Sequence, residues 1–376
     1  MRKLMQPALA TALICGALSL SALNVAAAAP KFIYTVSTDQ LVRSFSVNAT
    51  TGALRPLTGG TRVVDEFPFA MAANREGTLL YSVNPNSNSI AAFKADPASG
   101  SLLQAPGSPY VMPPGSAGAV RMVLHPNGKF AYANAQTGDI ASFLVNAANA
   151  ALTPTGNIVT AGISATMHIV SSGNFLYAVN GGLSFLPDPA RTDNISAFKI
   201  ETNGSLTELP GSPFATCTGP RRVTSDPAGK FLLVSCTDSK TIQVHRIQAD
   251  GALAKAGSAL RTGGANFDIA VEASGSFAYV TFGDLQRMFV YSLNGSTGAL
   301  SRLTKKDVST SGAPRYICMD AGGRQLFVQM LASSKSVVAS YNIDAANGGL
   351  TLSGPPSTTS TSGFPEVGMS LLSTAP

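Results

Sequence analysis

The side chains best suited to chemistry in this sequence recur at a fixed distance from a turn glycine. Seven positions before Gly77, Gly128, Gly173, Gly229, Gly275 and Gly323 stand Ala70, Arg121, Thr166, Arg222, Asp268 and Tyr316, and six before them stand Met71, Met122, Met167, Val223, Ile269 and Ile317. On strands of period two these series face opposite ways, so the apolar series packs between neighbouring sheets and the polar one turns toward an open channel. Arg221, Arg315 and Glu366 stand at the start of strands of the same kind. Arginine offers planar, bidentate donors, which makes Arg121, Arg221, Arg222 and Arg315, with Glu366, the expected binding residues for a small anionic or carbonyl-rich ligand. Asp268, Asp238 and His168 are the candidate catalytic residues, able to take a proton from water while arginines polarise a carbonyl. Two other arrangements stay open: the charges pair and plug a solvated channel, and His168 is a structural histidine bonded to water. If Arg222 is a solvated channel residue, its replacement by alanine weakens anion binding by roughly 1.5–3 kcal/mol and leaves stability nearly unchanged.

The elements that must position these residues are read from an internal repeat. Turns of the type Thr51-Gly52-Ala53-Leu54 recur with leucines at 102, 152, 206, 253, 300 and 350, spaced by 47 to 54 residues. A turn glycine followed by an aromatic or aliphatic strand precedes these turns, as in Gly128-Lys129-Phe130-Ala131-Tyr132 and Gly173-Asn174-Phe175-Leu176-Tyr177. A further strand ends on Phe45, Phe93, Phe143, Phe198, Tyr291 or Tyr341, with His245 in that place once. Each repeat reads as four short strands, and seven repeats predict an all-β, seven-bladed β-propeller. The first repeat starts at Phe32-Ile33-Tyr34 without an innermost strand, while Phe364-Pro365-Glu366-Val367 resembles the start of one. The C-terminal strand is therefore expected to complete the first blade and close the ring without a free edge.

Composition narrows the partners. Of 376 residues only 12% are charged, and 36 Gly and 23 Pro are scattered without a period of three, which excludes collagen, coiled coils and low-complexity disorder. Arg2 and Lys3, the apolar stretch Ala8 to Val25, and Ala26-Ala27-Ala28 read as a cleaved signal peptide over residues 1–29, leaving one propeller domain at 30–376 in the periplasm or outside the cell. Cys15 is not read as a lipid anchor, because Ile14 stands where a lipobox needs a small residue. After export no membrane association is expected, and the protein is expected to be a monomer. Lys and Arg occur singly or in pairs such as Arg221-Arg222, with no basic stripe among aromatics, so no nucleic-acid partner is expected. His125, His168 and His245 fall on different parts of the repeat, so neither a metal nor another cofactor is expected.

Cys217 and Cys236 flank the hairpin turning at Pro227-Ala228-Gly229, and a disulfide between them is expected as a cross-strand pair that leaves Cys318 free. The segment from Gly181 to Thr192 lengthens one loop by about ten residues, either as a lid or as a surface insertion.

The run Pro220-Arg221-Arg222 through Asp226-Pro227-Ala228-Gly229-Lys230-Phe231, with Ser99-Gly100-Ser101-Leu102, resembles the seven-bladed β-propeller lactonase family, which includes 6-phosphogluconolactonases and carboxy-muconate cyclases. The resemblance runs over essentially all of the mature chain and implies ring opening or closing of a lactone at the channel mouth. Family members commonly carry Pro-Arg-His at the start of an innermost strand and an acidic residue after the next. By that resemblance Arg221 and Arg315 match the arginine, Arg222 and Tyr316 stand at the histidine, and Asp238 stands in for the acid. The function expected is a lactonase-like hydrolase of a small anionic lactone. The alternative is a non-catalytic exported propeller serving as a ligand-binding or protein-interaction scaffold.

Overall fold

Seven small antiparallel sheets stand around one axis, and their innermost strands touch in sequence until the ring closes. The computed structural model describes residues 32–372 apart from 38, 49–50, 65–67, 164–165, 182–191, 321, 334 and 361–368. The expected signal peptide, Glu366 and most of the Gly181–Thr192 loop therefore lie outside the described residues. The innermost strands of blades two to seven are Ala70–Ala73, Ala119–Leu124, Thr166–Ile169, Pro220–Ser225, Asn266–Val271 and Ala313–Met319. In blade one that place is taken by Met369–Leu372, which pairs with Phe32–Ser37 in the register Phe32↔Leu372 to Thr35↔Met369. The C-terminal strand thus completes the first blade, as the truncated first repeat requires.

The core lies between the blades. Each of the seven gaps holds its own apolar cluster, such as Tyr177, Ile195 and Val179 of blade four against Val223, Leu232 and Val234 of blade five. The two sequence markers meet across these gaps. The hydroxyls of Tyr34, Tyr132, Tyr177 and Tyr279 donate to the carbonyls of Gly100, Gly204, Gly251 and Gly348, each a turn glycine of the next blade, at 2.7–3.2 Å. Two residues earlier in each strand, Phe32, Phe130, Phe175 and Phe277 lay their rings where a Cβ on those glycines would stand. These glycines have φ between +70° and +87°, so backbone conformation and ring packing both demand the absence of a side chain.

Blade three breaks the pattern. Its turn carries Ala150 at φ +65°, Leu79 of blade two stands where those four blades place Phe, and the buried Tyr81 hydroxyl has no hydrogen-bond partner. The smaller Leu79 leaves room for a methyl group, but the methyl holds an unfavourable left-handed conformation costing about 1–2 kcal/mol. Ala150→Gly is therefore expected to raise stability by roughly 0.5–1 kcal/mol, the relief of strain less the extra entropy of the unfolded chain. Denaturant titration of the two proteins checks this.

Cys217 and Cys236 are joined, with Cα atoms 5.9 Å apart, and Cys318 is free. The pairing is as expected, but its geometry is not. Arg222 faces Ser235 and Pro220 faces Cys236, so the hairpin is centred one to two residues later than the midpoint of the two cysteines. The disulfide ties Cys236 to the loop entering the blade and is not a cross-strand pair.

Candidate functional site

At the channel end of blades three, five, six and seven the innermost strand gains one residue on its partner. Val120 in blade three, Arg221 in blade five and Arg315 in blade seven are skipped by the ladder, and in blade six the slip falls between Asn266 and Ile269. Such bulges break the alternation of side chains and re-aim the extra residue. Arg221 and Arg315 accordingly both reach Phe267, the residue before Asp268, from opposite neighbours in the ring, their guanidinium carbons lying 3.9 and 4.7 Å from its ring centre. The regular residues turn inward. Arg121 of blade three and Arg222 of blade five both approach the ring of Tyr316 in blade seven, at 5.7 and 4.9 Å, and Arg121 also covers Phe69 at 4.8 Å. The T-shaped pair of Phe267 and Tyr316, centroids 5.5 Å apart, ties the two groups together.

These inner residues border a cavity of about 200 Å³, lined by Arg121, Arg222, Asp268, Tyr316, Thr166 and the apolar series Met71, Met122, Met167, Val223 and Ile317, with Val123. Five of the six seventh-position residues, all but Ala70, therefore border one cavity, in which Arg222 and Asp268 pair. The apolar series lines the cavity as well as packing between blades.

Electrostatics inside the cavity are dominated by positive charge. Arg222 is only 7% exposed, and its Nε lies 3.5 Å from Asp268 Oδ1. Asp268 also accepts the backbone N–H of Ile269 at 2.9 Å and, on its other oxygen, that of Ile317 at 3.0 Å. Burial pushes the Asp268 carboxyl above its usual range, against the pull of Arg222, the two amides and Arg121. Burial and the neighbouring Arg222 lower Arg121 to about 10, while Tyr316, whose side chain accepts a hydrogen bond from it, opposes the shift. Arg121 remains a cation at neutral pH.

The other sequence candidates lie elsewhere. His168 is half-buried beside blade five, where its Nε2 accepts the Ser225 N–H at 3.2 Å and meets the Ser225 hydroxyl at 2.9 Å. It does not line the cavity, and the structural arrangement describes it better than that of a catalytic base. Asp238 is exposed on the turn joining the second and third strands of blade five, also away from the cavity lining. Arg221 and Arg315 stand on Phe267 and are not among the residues that line the cavity. Phe69 and Phe267 were not among the sequence candidates. They stand eight positions before their turn glycines, as do Arg221 and Arg315, so that column was visible but its direction was not. Among the described residues no group of three His, Cys, Asp or Glu is placed to hold a metal.

Burial gives His168 a measurable consequence. It lowers both His168 and His245, the latter beside Thr216 Oγ1 at 3.1 Å, to about 4. Between about 6.5 and 4 the unfolded chain binds protons that the native protein refuses, so stability falls as pH drops through that window. At pH 5 each histidine is expected to cost about 2 kcal/mol relative to neutral pH. Asp268 acts in the opposite sense, its cost arising as pH climbs through its raised value. Chemical denaturation at pH 7 and 5, for the native sequence and His168→Gln, checks the size of the His168 contribution.

Comparison with known proteins finds the same architecture elsewhere. Residues 103–267 match the family described as lactonase, 7-bladed beta-propeller. A 6-phosphogluconolactonase of Formosa agariphila is 31% identical over 138 residues, which are 35% of this chain and 37% of that protein's length. A solved chain from Bacteroides fragilis superposes with a TM-score of 0.75 at 20% identity, covering 91% of this chain and 98% of its own. The periplasmic gluconolactonase of Pseudomonas aeruginosa gives 0.70 at 17% identity, covering 88% and 96%. At such identities the superpositions speak for the fold. With the family match over residues 103–267 and the same repeat closing into a ring on either side of it, this chain is a seven-bladed β-propeller that is similar over those residues to the lactonase family.

Proposed function

We propose that the protein is a lactonase-like hydrolase of a small anionic lactone, bound in the cavity where the innermost strands begin. The observation that carries this reading is the charge balance of that cavity: two guanidiniums line it and two more stand on Phe267, against the single carboxylate of Asp268 among the described lining residues. Guanidiniums held on aromatic faces keep their donors directed and lose little further freedom on binding an anion or a developing oxyanion. Arg121 and Arg222 would hold the substrate and polarise its carbonyl, with Arg221 and Arg315 adding field from their places on Phe267. Asp268, whose raised carboxyl borders the cavity, would take a proton from the attacking water. Support comes from the family match and from the names of the relatives, one a 6-phosphogluconolactonase and one a periplasmic gluconolactonase.

An exported location fits the leader-like residues 1–29, the disulfide between Cys217 and Cys236, and the periplasmic relative. No helix among the described residues is long and apolar enough to cross a membrane.

Purified mature protein, assayed by pH-stat on a panel of aldonic and aromatic lactones, tests the reading. Turnover above the buffer rate is expected, and Arg121→Ala is expected to cost roughly 10- to 100-fold in kcat/KM on lactones bearing a carboxylate or phosphate, the scale of one charged hydrogen bond. Neutral lactones should lose less. Failure to turn over any member of the panel would leave the scaffold alternative standing.

A further inference from the structure

Ring opening needs two proton transfers: water sheds one as it attacks, and the ring oxygen must gain one as it leaves. Of the three groups that sequence offers for this work, only Asp268 borders the cavity, and it is placed to accept. The remaining uncharged titratable group in the described lining is Tyr316. It is 5% exposed, its ring edge is fixed against Phe267, and the Arg222 guanidinium lies 4.9 Å from its centre. Its oxygen accepts a hydrogen bond from Arg121 while Arg222 lies on its ring, so two cations from blades three and five converge on one tyrosine from blade seven. The next residue, Ile317, donates its N–H to Asp268, so one strand fixes both Tyr316 and the carboxylate.

We propose that Tyr316 is the general acid of this site, donating its hydroxyl proton to the ring oxygen of the lactone; this rests on the lactonase reading above. Water oxygen bonds to the carbonyl carbon and gives one proton to Asp268. The acyl C–O bond then breaks with its electron pair on the ring oxygen, which takes the proton of Tyr316. The phenolate so formed keeps Arg121 as its hydrogen-bond donor, with Arg222 against its ring. The proton on Asp268 passes back to it through cavity water, and the sum is lactone plus water giving the hydroxy acid.

A general acid matters in proportion to how poor the leaving group is, and that dependence gives the test. Tyr316→Phe keeps the ring and its packing and removes only the hydroxyl. With δ-gluconolactone, whose ring oxygen leaves as an aliphatic alkoxide, kcat is expected to fall by about 100-fold or more. With dihydrocoumarin, whose leaving group is a phenoxide that needs no proton, the fall is expected to be under about 10-fold, with the melting temperature of the variant close to that of the native protein. Equal losses on both substrates, or no loss on either, would overturn the role of Tyr316 while leaving the lactonase reading intact. Where the native protein hydrolyses only charged lactones, the same pair of measurements is made with 6-phospho-δ-gluconolactone and a carboxylated dihydrocoumarin, and a native protein that hydrolyses none of the four would overturn both.

Discussion

Arg222→Ala is expected to lower the stability of the folded protein by about 3–5 kcal/mol, in addition to weakening the binding of anions. Sequence alone suggested a solvated channel residue whose loss would hardly matter for folding. The structure corrects that: Arg222 is 7% exposed and stands 3.5 Å from Asp268, a carboxylate that burial already pushes toward its neutral form. Removing the cation leaves Asp268 in a desolvated site with only two amide donors, Arg121 acting from further off. The same loss predicts a rescue. Asp268→Asn in the Arg222→Ala background removes the stranded charge and should recover a large part of the stability, whereas Asp268→Asn alone should cost stability by stranding Arg222. Urea unfolding of the four proteins forms a double-mutant cycle. Additive changes would show that the two side chains do not interact, and an Arg222→Ala protein as stable as its parent would return this residue to the solvated channel.

A chain ending before Met369 is expected to lose cooperative folding, seen as aggregation on expression or a fall in melting temperature of more than about 10 °C. The four residues Met369–Leu372 form the inner strand of blade one and touch the inner strands of blades two and seven. Without them the strand Phe32–Ser37, whose six side chains are all buried, becomes an open apolar edge. Moving residues 361–376 to the N-terminal side of Phe32 through a short flexible linker should restore the melt, because the strand needs only to reach its place in blade one. A truncated protein that melts unchanged would show that ring closure does not depend on this pairing.

Sequence determined the ring. Period-two strands, turn glycines and seven leucine turns leave a chain of this composition one economical way to bury its apolar faces, and the missing first strand of the first repeat dictates where the last one goes. It also pointed to Arg121, Arg222, Asp268 and Tyr316 as cavity residues from their distance to the turn glycines, although the alternate apolar residues line the cavity too. The pairing of Cys217 with Cys236 was legible too, though not the register that achieves it. The aromatic–glycine pairing between successive blades lay in the sequence as two separate markers, and only packing showed that one exists for the other.

What tertiary structure alone decided is the direction of side chains next to a bulge and the desolvation of charges. Alternation cannot describe Arg221, Arg315 and Phe267, since an extra residue in the strand turns each out of phase, and no local pattern announces the slip. Likewise His168 shares the strand face of Thr166, yet it meets Ser225 of the next blade before it can reach the cavity. Asp238 belongs to the right end of its blade but to an outer turn. The contact of Arg121 and Arg222 with Tyr316 joins blades three, five and seven, residues some hundred or more apart in sequence, and depends on the radius of the closed ring. Burial, which sets the charge states of Asp268 and His168, is likewise a property of the assembled ring and of no single repeat.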